Sequence, residues 1–282
     1  MIAIPAILSV IFSIAILIRG IPIGMEFTGG TLVRVRGLDD RPDLSMIEPA
    51  VENFLGSKID LKITEDRTRQ TGRFGLDLET SKVLSEEEKV ELQKFLEEKF
   101  GITGNYGAEW FGSILTGIYR EQARRAIIAA VIAMAIIIFI TFRHKVVVSA
   151  ILLCLGVDML GTLGCMAIFG VPFTLASIAG LLMLIGYAVD TNILLSVQTV
   201  KRLGGEVRER IATAMKTGLM MSGTTALAMI IINVITVAPA LYQLSAVLIF
   251  GILVDIVNTW FLNAGILLWH SSRIKEEFYV SE

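Results

Sequence analysis

The stretch VVVSAILLCLGVDMLGTLGCMAIF, residues 146–169, contains one carboxylate and no basic side chain. A transmembrane α-helix needs about 20 consecutive, predominantly apolar residues, so this stretch is long enough to cross a bilayer. Five further segments have a similar apolar character, at 2–18, 126–142, 173–199, 219–237 and 241–269. The sequence therefore predicts an α-helical polytopic membrane protein with six transmembrane helices.

The composition of the 282 residues agrees with this class of protein. Hydrophobic residues make up 54% of the chain and charged residues only 18%, whereas soluble domains carry about 25% charged residues. The formal net charge of -2 gives no reason to expect a nucleic acid partner. The first apolar segment lacks the basic region that begins a signal peptide, so we expect it to remain as the first transmembrane helix.

The sequence divides into three parts. The first transmembrane helix occupies 1–19, and a polar insertion with an amphipathic lead-in to the next helix occupies 20–125. A bundle of five transmembrane helices occupies 126–282, with a polar loop near 200–217. The insertion is long enough to form a small domain with one modest core.

The orientation follows from the basic residues in the short loops, which mark the cytoplasmic side of a membrane protein. They lie at Arg143 and Lys145, between 201 and 216, and after the last apolar segment at Arg273 and Lys275. This pattern predicts a multi-pass cell-membrane protein with both termini in the cytoplasm. The insertion at 20–125 is then extracytoplasmic.

The insertion has the patterns of an α+β domain. Apolar residues at helical spacing predict helices over Ser45–Leu55 and after Ser85, where Ser85 and Glu88 form a capping box. Strands are predicted around each helix, because apolar and polar residues alternate there: Thr31–Val35, Ile59–Thr64, Arg73–Leu78 and Asn105–Trp110. The order β-α-β-β-α-β predicts a ferredoxin-like sandwich. In the second helix Val90, Leu92, Phe95, Leu96 and Phe100 are predicted to face inward.

Three aspartates lie near the middle of predicted transmembrane helices. Asp158 is twelve residues from Val146 and twelve from Gly170, Asp255 is fourteen residues from each end of its own segment, and ten residues separate Asp190 from Lys201. A charged side chain at the bilayer centre costs about 2.5–3.5 kcal/mol on insertion scales. Residues of this kind in a membrane are candidates for function.

Other polar side chains accompany these carboxylates, and we expect them to face one another rather than lipid. Two interpretations are open: hydrogen-bonded aspartates that hold helices together, or a relay in which at least one aspartate binds and releases a proton. Three carboxylates at one depth favour the relay. The accompanying residues are Gly186, Tyr187 and Asn192 in the fourth apolar segment, Ser222, Thr225 and Asn233 in the fifth, and Asn258, Thr259 and Asn263 in the sixth.

Motifs for catalysis are absent from the sequence. It contains no phosphate-binding Gly-rich loop, no zinc-binding spacing and no nucleophile elbow. Cys154 and Cys165 would lie about 16 Å apart on one helix, which is too far for a disulfide. We expect no enzymatic activity, no cofactor and no metal site.

A family resemblance begins directly after the first apolar segment. Residues 24–30, GMEFTGG, resemble the Gly-[Ile/Leu]-Asp-Phe-Thr-Gly-Gly signature of SecD and SecF proteins, through Gly24, Glu26, Phe27, Gly29 and Gly30. Further resemblances follow in chain order: Phe142–Arg143, Asp158 with 162–164, 185–187, and 222–225. They cover nearly the whole chain, which is therefore identified as similar to the SecF branch of a superfamily shared with proton-driven RND exporters.

Several residues depart from the family pattern. Glu26 replaces an aspartate, and Asp190 lies one position earlier than the SecF carboxylate, which turns its side chain by about 100° on a helix. Thr217 aligns with a family arginine, whose charge the neighbouring Lys216 would replace. This mixture of SecD-like and SecF-like features resembles archaeal relatives.

The resemblance implies a function and partners. It implies a subunit that couples proton flow to preprotein export together with SecD, at a SecY-type channel, in contact with membrane lipid. The coupling residues would be Asp190, Asp158 and Asp255, supported by Asn192, Asn258, Thr225 and Lys216. Two alternatives stay open: half of an RND-type small-molecule exporter, and a translocon scaffold that transports nothing.

Overall fold

The computed structural model describes residues 3–65, 74–111, 113–142, 145–201, 206–236 and 238–269. Within these ranges the helices and strands follow one another in this order: α1 Ala3–Arg19, α2 Met25–Thr28, β1 Gly30–Leu38, α3 Leu44–Leu55, β2 Ile59–Glu65, β3 Phe74–Thr80, α4 Glu86–Phe100, β4 Asn105–Phe111, α5 Ser113–Thr141, α6 Lys145–Phe169, α7 Leu175–Ser196, α8 Val207–Ile235 and α9 Pro239–Val257. Two π-helical segments continue α7 and α9, at Val197–Lys201 and Asn258–Asn263.

The chain forms two compact units. The helical unit comprises Met1–Pro22 and Arg124–Glu282, and the α+β unit comprises Ile23–Ala123. Each has its own hydrophobic core.

Five helices in the described residues are long and apolar enough to cross a membrane. They occupy Thr116–Thr141, Lys145–Phe169, Leu175–Thr199, Val207–Ile235 and Pro239–Trp269. The remaining predicted span, the first in the chain, corresponds to α1, a shorter apolar helix of 17 residues. A crossing by α1 therefore stays a prediction.

Two helices begin well before the apolar segments that predicted them. α5 starts at Ser113 and α8 at Val207, whereas the apolar segments start at 126 and 219. Both additional stretches contain charged residues, which helices tolerate well. Hydropathy marks the apolar part of a helix and not its first residue, which explains the difference.

Glycines allow close contact between helices of the helical unit. A Cβ on Gly251 would lie 2.4 Å from a methyl group of Leu184, and one on Gly164 would lie 2.4 Å from Phe12. Small residues of this kind let the backbones of membrane helices approach closely. α7 and α9 are therefore tightly packed where Gly251 meets Leu184, as are α1 and α6 where Gly164 meets Phe12.

The α+β unit contains one antiparallel sheet with the strand order β2-β3-β1-β4 in the described residues. Its core includes Val51 of α3, Leu76 and Leu78 of β3, and Leu92 and Leu96 of α4, all essentially buried. The predicted order of strands and longer helices is observed, whereas the ferredoxin-like assignment itself stays a prediction. Arg73 lies outside the described residues.

Two local predictions for this unit have clear outcomes. The capping box is present, because Ser85 Oγ accepts from the Glu88 amide and Glu88 accepts from the Ser85 amide. Val90 is wrong as an inward-facing residue, since it is 53% exposed. The core takes only Leu92 and Leu96 fully, with Phe95 and Phe100 at its edge, so the buried stripe of α4 is narrower than its apolar pattern.

The family motif at 24–30 forms the entry to β1. α2 is a single turn that buries Phe27, and the Arg120 guanidinium donates to the Phe27 carbonyl over 2.5 Å. Gly29 and Gly30 have φ angles of 79° and 126°, which side-chain-bearing residues rarely adopt. The motif therefore acts here as a tight backbone turn.

Candidate functional site

Asp158 and Asp255 are the two buried carboxylates of the helical unit within the described residues. Asp158 of α6 is 0% exposed and Asp255 of α9 is 1% exposed. Their polar neighbours come from α7 and from the π-helical segment that follows α9. We call Asp158, Asp255, Thr191, Asn258 and Thr259 the inner acid cluster.

Asp158 has one side-chain partner within the described residues. The Asn258 amide nitrogen lies 2.7 Å from Asp158 Oδ1, whereas Asp158 Oδ2 is buried with no hydrogen-bond partner there. Thr162 donates to the main-chain carbonyl of Asp158 over 2.7 Å and not to the carboxylate. Half of this carboxylate is therefore free to receive a donor.

Asp255 is held by two hydroxyl groups. Thr259 Oγ1, one turn later, lies 2.8 Å from Asp255 Oδ1, and Thr191 Oγ1 of α7 lies 2.9 Å from Asp255 Oδ2. These contacts tie α7 to α9 at the depth of the carboxylate.

A second polar link joins the same two elements further along. Asn263 Nδ2 donates to Asn192 Oδ1 over 2.6 Å, and Asn192 Nδ2 donates to the Ala188 carbonyl over 2.7 Å. Both asparagines are essentially buried. Polar residues of the fourth and sixth apolar segments therefore face each other, as expected.

The π-helical segment Asn258–Asn263 supplies three of these polar side chains. π-helical turns are rare and occur frequently at functional sites. The main-chain oxygen of Asn258 lies 4.0 Å from the Cys154 thiol, and Trp260 packs over Gly218 of α8, where a Cβ would lie 2.5 Å from the indole. The segment is thus fixed against α6, α7 and α8 together.

Asp190 lies apart from this cluster. It is exposed on the surface of the helical unit, whereas its neighbours Thr191 and Asn192 are buried. Successive residues on a helix point about 100° apart, so α7 turns Thr191 and Asn192 inward and Asp190 outward. The structure brings two of the three predicted aspartates together and separates the third.

The remaining candidates also lie outside the cluster. Lys216 is exposed on α8, and Thr225 is partly exposed, with its hydroxyl donating to the Met221 carbonyl over 3.1 Å. Asn233 bonds Ser245 and the Tyr242 carbonyl near the start of α9. Ser222 of α8 is buried, whereas Thr225 and Asn233 are only partly buried, so the polar residues of α8 do not share one environment.

Thr191 was missed as a site residue from the sequence. Its signal is weak, because a threonine inside an apolar segment commonly bonds the carbonyl one turn earlier, and Thr191 does lie 2.9 Å from the Ala188 carbonyl. Its position beside Asn192 was the available clue. The π-helical geometry has no comparable signal in the sequence.

Comparisons with known proteins place this architecture in a family. The family model for "Protein export membrane protein SecD/SecF, C-terminal" matches residues 93–273. The chain is 33% identical to the protein-export membrane protein SecF of Methanopyrus kandleri over 93% of its own length and 92% of that protein. It is 34% identical to SecF of Methanothermobacter thermautotrophicus, over 96% of its own length and 91% of that protein.

A solved structure agrees with the fold. The crystal structure of SecDF, a translocon-associated membrane protein from Thermus thermophilus, matches with a TM-score of 0.78 at 20% identity over 96% of this chain. The present chain spans 37% of that SecDF chain.

The fold and the buried acids define a polytopic membrane protein with polar residues inside its helical bundle. Among such proteins, this chain belongs to the SecF family of protein-export membrane proteins, and the relatives named above are archaeal, as the mixed motifs predicted.

Proposed function

We propose that this chain couples proton movement through the membrane to protein export, as the SecF-type partner of a SecD subunit. Family membership supports the export role. The arrangement of the aspartates supports the coupling, because two are sealed in the helical unit and one lies on its surface. The two environments offer separate places for an ion inside one membrane protein.

The outward position of Asp190 is the observation that carries this proposal. A carboxylate exposed to lipid at mid-membrane depth costs about 2.5–3.5 kcal/mol, and intramembrane acids almost always face a bundle interior or a water-filled cavity. A second membrane subunit packed on this face of α7 provides such an interior. The SecD half is the partner that we propose there, in agreement with the SecDF chain that extends well beyond the matched part.

The α+β unit and the helical unit take different parts in this function. The basic residues of the short loops predict that the α+β unit lies outside and the termini in the cytoplasm. An emerging preprotein would then meet the α+β unit after it leaves a SecY-type channel. Proton passage near Asp190 would drive movement that draws the preprotein outward. One proton moving across 100 mV releases about 2.3 kcal/mol.

The test is protein export into sealed inverted vesicles, with and without a proton gradient. Replacement of Asp190 by Asn removes the charge and keeps the size, so we expect Asp190→Asn to abolish the gradient-dependent part of export and to leave the basal part. Glu209→Gln, at an exposed carboxylate near the start of α8, is the matched control and keeps both parts.

Two results would overturn the proposal. Unchanged gradient-dependent export by an assembled Asp190→Asn protein would place the coupling elsewhere and favour a scaffold. Efflux of small molecules that depends on Asp190, with export unaffected, would favour an RND-type exporter.

A further inference from the structure

We propose that a cavity between α1, α6 and α9 binds the end of a hydrocarbon chain from a membrane lipid. The cavity has a volume of about 190 Å³, and its walls include Ser9, Phe12, Val157, Cys165, Leu253 and Asn258. The inference goes beyond the proposed function and does not rest on it. The juxtaposition that carries it is an uncharged cavity at mid-membrane depth, beside helices that are already tightly packed.

The chemistry of the walls selects an apolar occupant. None of the lining residues in the described part of the chain is charged. The Ser9 hydroxyl donates to the Pro5 carbonyl of its own helix over 2.8 Å, and the Asn258 amide nitrogen donates to Asp158 over 2.7 Å. A buried water makes about three hydrogen bonds, whereas an apolar cavity of about 150 Å³ stays dry and binds benzene. The occupant is therefore uncharged and apolar.

Tight contacts beside the cavity prevent the helices from closing it. A Cβ on Gly164 of α6 would lie 2.4 Å from Phe12 of α1, and one on Gly161 would lie 2.6 Å from Val254 of α9. Because α1 and α9 already press on α6 at these glycines, neither helix can move inward to fill the space. An empty cavity costs stability in proportion to its volume, so an occupant from outside the chain stabilises the packing of α1.

The depth and the opening of the cavity select a lipid chain. Leu253 in its wall is 55% exposed, so the cavity is accessible from the outer surface of the helical unit. Val157 directly precedes Asp158, and Leu253 lies two residues before Asp255, where the sequence predicts the middle of the membrane. The hydrocarbon core of a bilayer is about 30 Å thick, so a headgroup lies about 15 Å away and only the chain reaches this depth.

A transmembrane helix of a partner is too large for this space. A helix with its side chains is about 10 Å wide and rises 5.4 Å per turn, so one turn takes up about 400 Å³. The cavity has about half of that volume, whereas a narrow hydrocarbon chain enters end first. A single side chain of a SecD subunit also fits in size, so the test includes the complex with SecD.

The test is photo-crosslinking of the purified full chain in nanodiscs of phosphatidylcholine that carries a diazirine at the end of one chain. We expect crosslinks to Cys165 in the cavity and to Ile7, which is exposed on α1 outside it. Val157→Phe fills the cavity, so crosslinks to Cys165 fall by about fivefold or more, since the buried area of even a pair of methylenes accounts for such a loss. Crosslinks to Ile7 do not change.

Leu153→Phe is the matched control for this variant. Leu153 lies one turn earlier on α6, is 52% exposed and does not line the cavity. A ring at this position enlarges the outer surface and leaves the cavity open. We therefore expect Leu153→Phe to retain the crosslinks to both Cys165 and Ile7.

A milder variant keeps the test valid if Val157→Phe fails to fold. Ser9→Leu removes a hydroxyl that bonds its own helix and places an apolar side chain in the cavity. After lipid is washed away with detergent, we expect this variant to unfold at a higher temperature than the unmodified chain, because the side chain replaces the lost lipid. Ser13→Leu removes the same kind of bond, to the Ser9 carbonyl, outside the cavity, and shows no such gain.

Three results would overturn the inference. They are crosslinks to Cys165 that Val157→Phe leaves unchanged, an equal thermal gain in Ser9→Leu and Ser13→Leu, and loss of the Cys165 crosslinks when SecD is bound. The last result would show that a side chain of the partner occupies the cavity. Because none of these measurements involves export or a proton gradient, the vesicle experiment decides the proposed function separately.

Discussion

At the residue scale, the sequence predicts the depth of the aspartates in the membrane, but it could not predict their directions. Counting residues between the ends of an apolar segment places Asp158, Asp190 and Asp255 near the middle of their helices. Which face of α7 points inward depends on packing against α9, where Gly251 meets Leu184. Apolar residues occupy every face of α7, so its sequence contains no amphipathic signal that separates Asp190 from Thr191.

A glycine in the family motif offers a test at this scale. A Cβ on Gly30 would lie 2.1 Å from the Thr80 carbonyl oxygen, and the φ angle of 126° is unfavourable for any side chain. We expect Gly30→Ala to destabilise the α+β unit by about 1–3 kcal/mol, the usual cost of a strained backbone position, and to increase proteolysis of the full chain within 23–123.

The matched control is Gly107→Ala in β4. A Cβ there meets nothing within 4 Å, and the φ angle is not positive. Equal protease resistance of both variants would show that the motif glycines are not required for the turn into β1.

At the element scale, long apolar segments predicted five helices well, and the π-helical segments were missed. The geometry of Asn258–Asn263 follows from contacts that the sequence does not display, such as Trp260 over Gly218. In the α+β unit, Ser85 and Glu88 predicted the start of α4 correctly, because a cap is a local interaction. Val90 was misplaced because burial depends on the neighbouring sheet.

The capping box of α4 predicts a dependence on pH. The Lys82 ammonium and the Ser85 amide hold the pKa of Glu88 below its ordinary value of 4.5. A lowered pKa in the folded state means that the stabilisation is present above the unfolded pKa and is lost as the pH falls through the folded value. We expect faster amide hydrogen exchange at the start of α4 below about pH 4, after correction for intrinsic rates.

Variants separate the cap from a general acid effect. Ser85→Ala removes the cap at any pH, at a cost of about 1 kcal/mol, which corresponds to about fivefold faster exchange over Glu86–Phe100 where exchange reports local opening. Glu91→Gln changes an exposed carboxylate in the middle of the same helix and leaves the pH dependence intact. If Glu88→Gln also retained it, the cap would not be its source.

At the scale of the whole molecule, the division into a polar insertion and an apolar bundle could be predicted because the two parts differ in composition. The structure separates Ile23–Ala123 from the helical unit at similar positions. The membrane side of each part follows only from the basic loops, so it stays a prediction that needs an experiment.

Chemical labelling tests this orientation. Asp40→Cys lies at an exposed position of the α+β unit and Arg208→Cys at an exposed position before the apolar part of α8. We expect a membrane-impermeant maleimide to label Asp40→Cys in intact cells, and to label Arg208→Cys only after the membrane is opened. The unmodified chain, with Cys154 buried and Cys165 half-buried, is the background control, and the opposite pattern would reverse the topology.

The complete enclosure of Asp158 also has a consequence for time. A proton can reach this carboxylate only when the packed helices separate, and collective movements of helices take microseconds to milliseconds. Once protons are abundant outside, the frequency of this opening sets the rate of exchange, and further acid does not increase it. Between openings, the protonation state of Asp158 stays as it was set by the last pH to which the carboxylate was exposed.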